Sequence, residues 1–161
     1  MRAALLAVVL LAGPAASQDI TFSDEATAGC LARAEEFADQ RACIGLSANV
    51  CMDAPGGYST YGMGGCLNRE LGFWDGMLNE NYRARMVGAK AADEDATLYQ
   101  PELPKQAEAL RDMQRAWITF RDAACAYERS KWGGGTGAGP AALACLMRMT
   151  GAQALRLGAA Y

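Results

Sequence analysis

The chain contains no histidine, which removes the commonest general base and the commonest metal ligand together. None of its cysteines stands in a CxxC pair, so neither a dithiol redox motif nor a zinc knuckle is spelled out. No metal and no cofactor is expected. β-branched residues are few and never alternate over a useful length, which argues against strands. Basic residues are too sparse and scattered for nucleic acid: 15 Lys and Arg stand against 18 Asp and Glu, a net charge of −3. Beyond the first dozen residues no apolar run is long enough to span a bilayer, and there is no internal repeat.

What is present begins with Met1-Arg2, an apolar run from Ala3 to Ala12, and the small residues Gly13, Pro14, Ala15, Ala16 and Ser17. A charged start, a short apolar middle of about ten residues and a small-residue end describe a secretory signal peptide. Ala15 and Ser17 predict cleavage after Ser17. The first cysteine is Cys30, so a lipid-accepting cysteine at that junction is not expected. Arg2 is the only charge in the removed segment, leaving 14 basic against 18 acidic residues, or −4. The expected organisation is a signal peptide over 1–17, a helical extension with a Cys-rich loop over 18–65, and a helical domain over 66–161. The protein is then periplasmic or secreted, with no membrane span.

Helical spacing dominates the remainder. Leu31, Ala34 and Phe37 or Ala38 predict a short helix running from Cys30 to a stop at Gly45. Leu67, Leu71, Trp74, Leu78 and Tyr82 predict a long one over about Gly64 to Ala91. Asp93-Glu94-Asp95 with Pro101 and Pro104 reads as the next connection. It lacks the alternating ligands of a calcium loop. Leu110, Met113, Trp117, Phe120, Ala124 and Tyr127 form the stripe of a third helix. The run from Gly133 to Pro140 is a flexible hairpin; the Lys and Ser or Thr of a phosphate loop are missing. Leu143, Leu146, Met147, Thr150, Ala154 and Leu157 line a fourth helix. The fold class is therefore all-α: a small antiparallel bundle of about four helices stapled by disulfides.

Six cysteines in an exported chain predict three disulfides. Cys125 and Cys145 lie one to two turns either side of the glycine hairpin, so antiparallel packing brings them level. For the rest, Cys43 with Cys51 closes a short turn, leaving Cys30 to join Cys66. Polar groups border the apolar stripes: Gln114, Arg121 and Asp122 on the third helix, Asn79 beside Leu78, and Thr150 on the fourth. They read first as a network fixing helix register and second as a binding patch.

The run Leu110 to Cys125, with its Gln114-x-x-Trp117-x-x-x-Arg121-Asp122-x-x-Cys125 arrangement, resembles the signature helix of the LprI-like lysozyme-inhibitor family. Leu78-Asn79 with Tyr82, the glycine-rich loop, and Cys145-Leu146 with Met149-Thr150 extend the likeness over roughly Cys66 to Leu157. The resemblance implies an all-helical, disulfide-bonded envelope protein that inhibits lysozyme. It supplies no catalytic residue. Where the family usually has an Arg three residues after Thr150, this chain has Gln153. The founding type is a lipoprotein, and this chain lacks the lipid-accepting cysteine.

The function so read is binding, with no enzymatic activity: a rigid acidic surface occludes a protein partner, a cationic lysozyme, with Tyr58, Tyr61 and Trp132 as loop aromatics that could anchor it. One alternative is an envelope assembly or scaffold protein. The other is a carboxylate-based cell-wall hydrolase using acids such as Glu70, Asp75, Glu80 and Asp122. The oligomeric state is left open.

Overall fold

The computed structural model describes residues 19–100 and 102–159, so the expected signal peptide over 1–17 lies outside the described residues, as does Pro101. Its elements, in chain order, are α1 (Glu25–Leu31), α2 (Phe37–Ala42), α3 (Leu46–Asp53), α4 (Thr60–Tyr99), α5 (Gln106–Ser130) and α6 (Ala138–Gly158). No strand occurs among the described residues. The all-helical, disulfide-stapled bundle expected from the spacing is what forms.

The expected second helix is longer at both ends than its apolar stripe. Ser59 caps it, its hydroxyl accepting from the Gly62 N–H at 2.9 Å. Gly62 is required there, because a Cβ would lie 2.0 Å from the Gly56 carbonyl oxygen. At the other end Asp93-Glu94-Asp95 is not a connection but the last turns of α4. The Asp93 carboxylate accepts from the N–H groups of Gln106 (2.6 Å) and Ala107 (3.0 Å), the first two residues of α5. A side chain of one helix thus caps the next. The Ala107 N–H is the largest influence on that carboxyl; against some desolvation, and with Gln106 and Lys105 assisting, it holds Asp93 below the usual carboxylate range.

Three long helices make the bundle. Cross-links between α5 and α6 run in opposite senses: Gln114 meets Gln153, Arg121 meets Thr150, and Cys125 is bonded to Cys145. Between α4 and α6 the senses agree. Gly64 lies against Leu143, the Asn81 amide donates to the Ala154 carbonyl at 2.9 Å, and Arg85 Nε donates to Leu157 O at 2.7 Å. Arg85 so occupies a carbonyl of the last turn of α6, where a cation is also favoured by the helix dipole. The core consists of Leu67, Trp74 and Leu78 from α4, Met147, Ala154, Leu155 and Leu157 from α6, and Ala48 from α3. The stripes read for α4 and α6 are therefore the faces that turn inward.

The stripe read for α5 is corrected. Its buried residues are Ala107, Gln114 and Cys125, with Leu110, Trp117 and Arg121 half-buried on the same side. Met113, Phe120 and Tyr127 are 40%, 65% and 64% exposed. The helix sits rotated so that polar Gln114 and Arg121 face α6, where they find partners.

Two of the three disulfide pairings are also corrected. Cys125–Cys145 forms as expected; the others are Cys30–Cys43 and Cys51–Cys66. The expected first helix breaks between Leu31 and Phe37. A continuous helix would hold Cys30 and Cys43 about 20 Å apart at 1.5 Å per residue; the turn brings their Cα atoms to 5.6 Å. Cys43 and Cys51, by contrast, lie on either side of most of α3. The helical part alone, from Leu46 to Cys51, rises about 7.5 Å, and the two sulfurs are taken by Cys30 on one side and Cys66 on the other.

Candidate functional site

Glu70 is a heavily constrained side chain. It points from α4 into a fully buried position, and its two oxygens accept four donors. Oε1 takes Gly45 N–H at 2.7 Å, the Thr27 hydroxyl at 3.0 Å and the Trp74 indole N–H at 2.9 Å. Oε2 takes the Ala48 N–H at 2.6 Å. Gly45 and Ala48 belong to the N-terminus of α3, which holds unpaired N–H groups and the positive end of the helix dipole. Gly45 has φ +99°, a left-handed conformation suited to glycine, and this directs its N–H at the carboxylate. Thr27 and Ser47 complete the arrangement: Thr27 N–H donates to Ser47 Oγ at 3.0 Å, and Ser47 N–H to Thr27 Oγ1 at 3.1 Å. One carboxylate thereby fastens α1 and α3 to α4. As a candidate acid Glu70 is fully engaged and out of reach of any substrate.

The other candidate acids are exposed. Asp75 accepts from the Asn79 amide at 3.0 Å. Asp122 is held by Arg121, at 2.9 Å from Nε and 2.8 Å from Nη2. Glu80 lies with Glu35 on a shallow groove of about 610 Å3 between the α1–α2 turn and the end of α6. Among the described residues no group of three or more cysteines and carboxylates is placed to hold a metal.

The polar network expected from the motif is largely brought together. Asn79, Tyr82, Gln114, Trp117 and Arg121 line one groove of about 450 Å3 between α4 and α5, with Arg111 nearby. Arg121 links its parts. Its guanidinium lies 5.1 Å over the Trp117 ring, donates to Thr150 Oγ1 at 3.4 Å on α6, and pairs with Asp122. Gln114 is buried and accepts from Gln153 Nε2 at 3.0 Å, which also reaches Met113 Sδ at 3.5 Å. Gln153, at the position where the resemblance implies Arg, makes neutral bonds. Thr150 is buried on the far side of Arg121, and Asp122 faces solvent.

The three loop aromatics are placed differently from one another. Tyr58 and Tyr61 are 77% and 74% exposed at the start of α4. Trp132 is 54% exposed but folds back on its own loop, where a Cβ on Gly137 would meet the indole at 2.4 Å. It lines an apolar groove of about 650 Å3 with Ile44, Met52, Met63, Pro140 and Met147. Neither tyrosine lines that groove. The residue that sequence reasoning missed is Glu70 in its structural role: its place three after Leu67 and four before Trp74 puts it on the inward stripe of α4, but three of its four donors come from 22 to 43 positions away.

Among known proteins, the chain is 28% identical over 135 residues to "Uncharacterized 17.7 kDa protein in puhA 5'region" of Rhodobacter capsulatus, which covers 83% of each of the two. No solved structure matches the chain significantly. The family model for lysozyme inhibitor LprI matches residues 51–157, from the end of α3 through α4, α5 and almost all of α6. With its signature Gln114, Trp117, Arg121 and Cys125 on the one helix and Cys145 and Thr150 on the next, this chain belongs to the lysozyme inhibitor LprI family.

Proposed function

We propose that the protein is exported after cleavage behind Ser17, folds oxidised in the periplasm or outside the cell, and inhibits lysozyme by occlusion. The observation that carries this reading is the family match over the whole α4–α6 bundle. Three disulfides, with no free cysteine among the described residues, favour an extracytoplasmic location. No described helix is long and apolar enough to cross a membrane.

Occlusion needs a surface whose shape is already set, since ordering loops on binding weakens association. The bundle supplies one, with every described cysteine tied. An acidic balance of −4 in the processed chain, 14 basic against 18 acidic residues, speeds encounter with a cationic enzyme. Tyr58, Tyr61 and Trp132 are the proposed anchors, being large, exposed and close to helix starts held by disulfides. No catalytic step is assigned.

The test is a turbidity assay of lysozyme on cell walls with increasing oxidised protein. Inhibition that saturates near one equivalent supports the reading, with the potency of the Tyr58→Ala, Tyr61→Ala and Trp132→Ala variants locating the contact. Undiminished lysis at large molar excess rejects it.

A further inference from the structure

We propose that the groove between α4 and α5 is a binding site for an acidic saccharide. The groove measures about 450 Å3, within the range of small-molecule pockets, and several of its polar groups find no partner inside the protein. Gln114 is only 7% exposed. Its Oε1 accepts from Gln153, but its Nε2 donates to no described residue. Among the described residues no buried side-chain nitrogen or oxygen is both sealed from solvent and unpaired. This N–H2 therefore opens into the groove that Gln114 lines. The Trp117 indole N–H and the Tyr82 hydroxyl, both on half-buried side chains of the same groove, are unpaired as well. Donors that converge on a cleft without protein acceptors are the points by which a ligand is oriented.

Charge places the acidic group. Arg111, Arg115 and Arg121 line the groove against a single carboxylate, Asp75, which is occupied by the Asn79 amide at 3.0 Å. Arg121 is held by Asp122 and Thr150. Arg115 reaches Asp112 at 4.0 Å, an exposed pair of little strength. Arg111 has no ionic or hydrogen-bonded partner among the described residues, and Arg115, one helical turn along, repels it. A carboxylate between Arg111 and Arg115 relieves that repulsion, and a guanidinium takes a carboxylate through two parallel bonds. The remaining lining selects a sugar over a bare anion. Leu78, Ile118 and the rings of Tyr82 and Trp117 give apolar surface to the C–H face of a pyranose. The Asn79 carbonyl oxygen, which receives no donor among the described residues, accepts a hydroxyl. Inorganic phosphate would use none of these groups.

The site is separate from the lysozyme anchors. Tyr82 stands about 30 Å of helix rise from Tyr61 along α4, and Trp132 lines a different groove. Saccharide binding therefore does not depend on lysozyme being the partner; it would hold the protein on an envelope polysaccharide. The test is a nuclear magnetic resonance titration of isotope-labelled, oxidised, processed protein, up to about 10 mM probe. The probes are N-acetylglucosaminyl-N-acetylmuramic acid, digalacturonic acid, the neutral disaccharide chitobiose, and inorganic phosphate. At least one acidic disaccharide should bind with a Kd on the order of 1 mM or below. It should move the Trp117 indole and Gln114 amide resonances and leave that of the Trp74 indole, bonded to Glu70 in the core, in place. Chitobiose and phosphate should bind at least about tenfold more weakly. Arg111→Gln, at an exposed position, should weaken the acidic disaccharide at least about tenfold without changing the melting temperature. Preference for the muramic acid disaccharide assigns the site to cell-wall glycan, and preference for digalacturonic acid to a uronate polysaccharide; either supports the proposal. No response to either acid, chitobiose or phosphate binding as tightly, or an unchanged affinity in Arg111→Gln overturns it.

Discussion

Replacing Glu70 by Gln changes a single heavy atom in the middle of the clasp formed by α1, α3 and α4. With the amide oxygen in the Oε1 position, the bonds from Gly45, Thr27 and Trp74 are kept in weakened, uncharged form, but the new NH2 group faces the Ala48 N–H that Oε2 now accepts at 2.6 Å. Flipping the amide is worse, since it opposes three donors. The loss of charge assistance and one stranded buried N–H amount to about 2–3 kcal/mol. Glu70→Ala strands the Gly45 and Ala48 N–H groups and the Trp74 indole N–H, at ~1–3 kcal/mol each, and leaves a cavity beside Trp74, while the Thr27 hydroxyl keeps the Cys43 carbonyl at 3.5 Å. That reaches or exceeds about 4 kcal/mol, a large share of the roughly 5–15 kcal/mol that holds a domain together. Cys51–Cys66 still ties α3 to α4, so the damage should be local. Amide hydrogen exchange should rise sharply in α1–α3 while α5 and the Cys145 end of α6 keep their protection. Urea unfolding of Glu70→Gln should show the smaller loss. Unchanged exchange at Ala48 and Gly45 in Glu70→Ala would refute the reasoning.

Peptide mapping without reduction should find Cys30 joined to Cys43 and Cys51 to Cys66; a Cys43–Cys51 peptide would contradict the broken first helix. Removing the third bridge with Cys125→Ser and Cys145→Ser, which opens a loop of 20 residues, should cost about 3 kcal/mol in urea unfolding if the chain-entropy account applies. Asp93→Asn should speed amide exchange at Gln106 and Ala107. In the wild type, because folding lowers the Asp93 value, its contribution is complete above the unfolded range near 3.9 and fades as pH falls through the lower folded value. Exchange at those two amides, corrected for intrinsic rates, should therefore be protected at about pH 5 and lose that protection in strong acid. Arg121→Lys should destabilise nearly as much as Arg121→Ala, about 1–2 kcal/mol, because a lysine cannot serve Thr150, Asp122 and the Trp117 face together.

How far these features were legible in the sequence depended on whether a side chain's role followed from its polarity. α4 and α6 were readable because Leu67, Trp74, Leu78, Ala154 and Leu157 are apolar and buried. Cys125 and Cys145 were pairable because both flank a glycine hairpin that only antiparallel helices can use. α5 was misphased because polarity there runs against burial: Gln114 is inside and Phe120 outside. The break after Leu31 carries neither glycine nor proline, so nothing local announced the Cys30–Cys43 bridge. Asp93 looked like loop composition because its capping targets, Gln106 and Ala107, are set by tertiary packing. The network around Arg121 was visible through the family motif, whereas Glu70, although spaced with Leu67 and Trp74 on the inward stripe, was read as an acid because its donors Thr27, Gly45 and Ala48 lie far away in the chain.

The most direct measurement is a comparison: lysozyme titrated with the oxidised protein and, in parallel, with the same protein reduced and alkylated. Oxidised protein should suppress cell-wall lysis to completion at a sharp equivalence point, and the reduced form, its clasp and hairpin released, should suppress it far less. Lysis that proceeds at full rate in the presence of excess oxidised protein would contradict the claim that this disulfide-held surface acts by covering the enzyme.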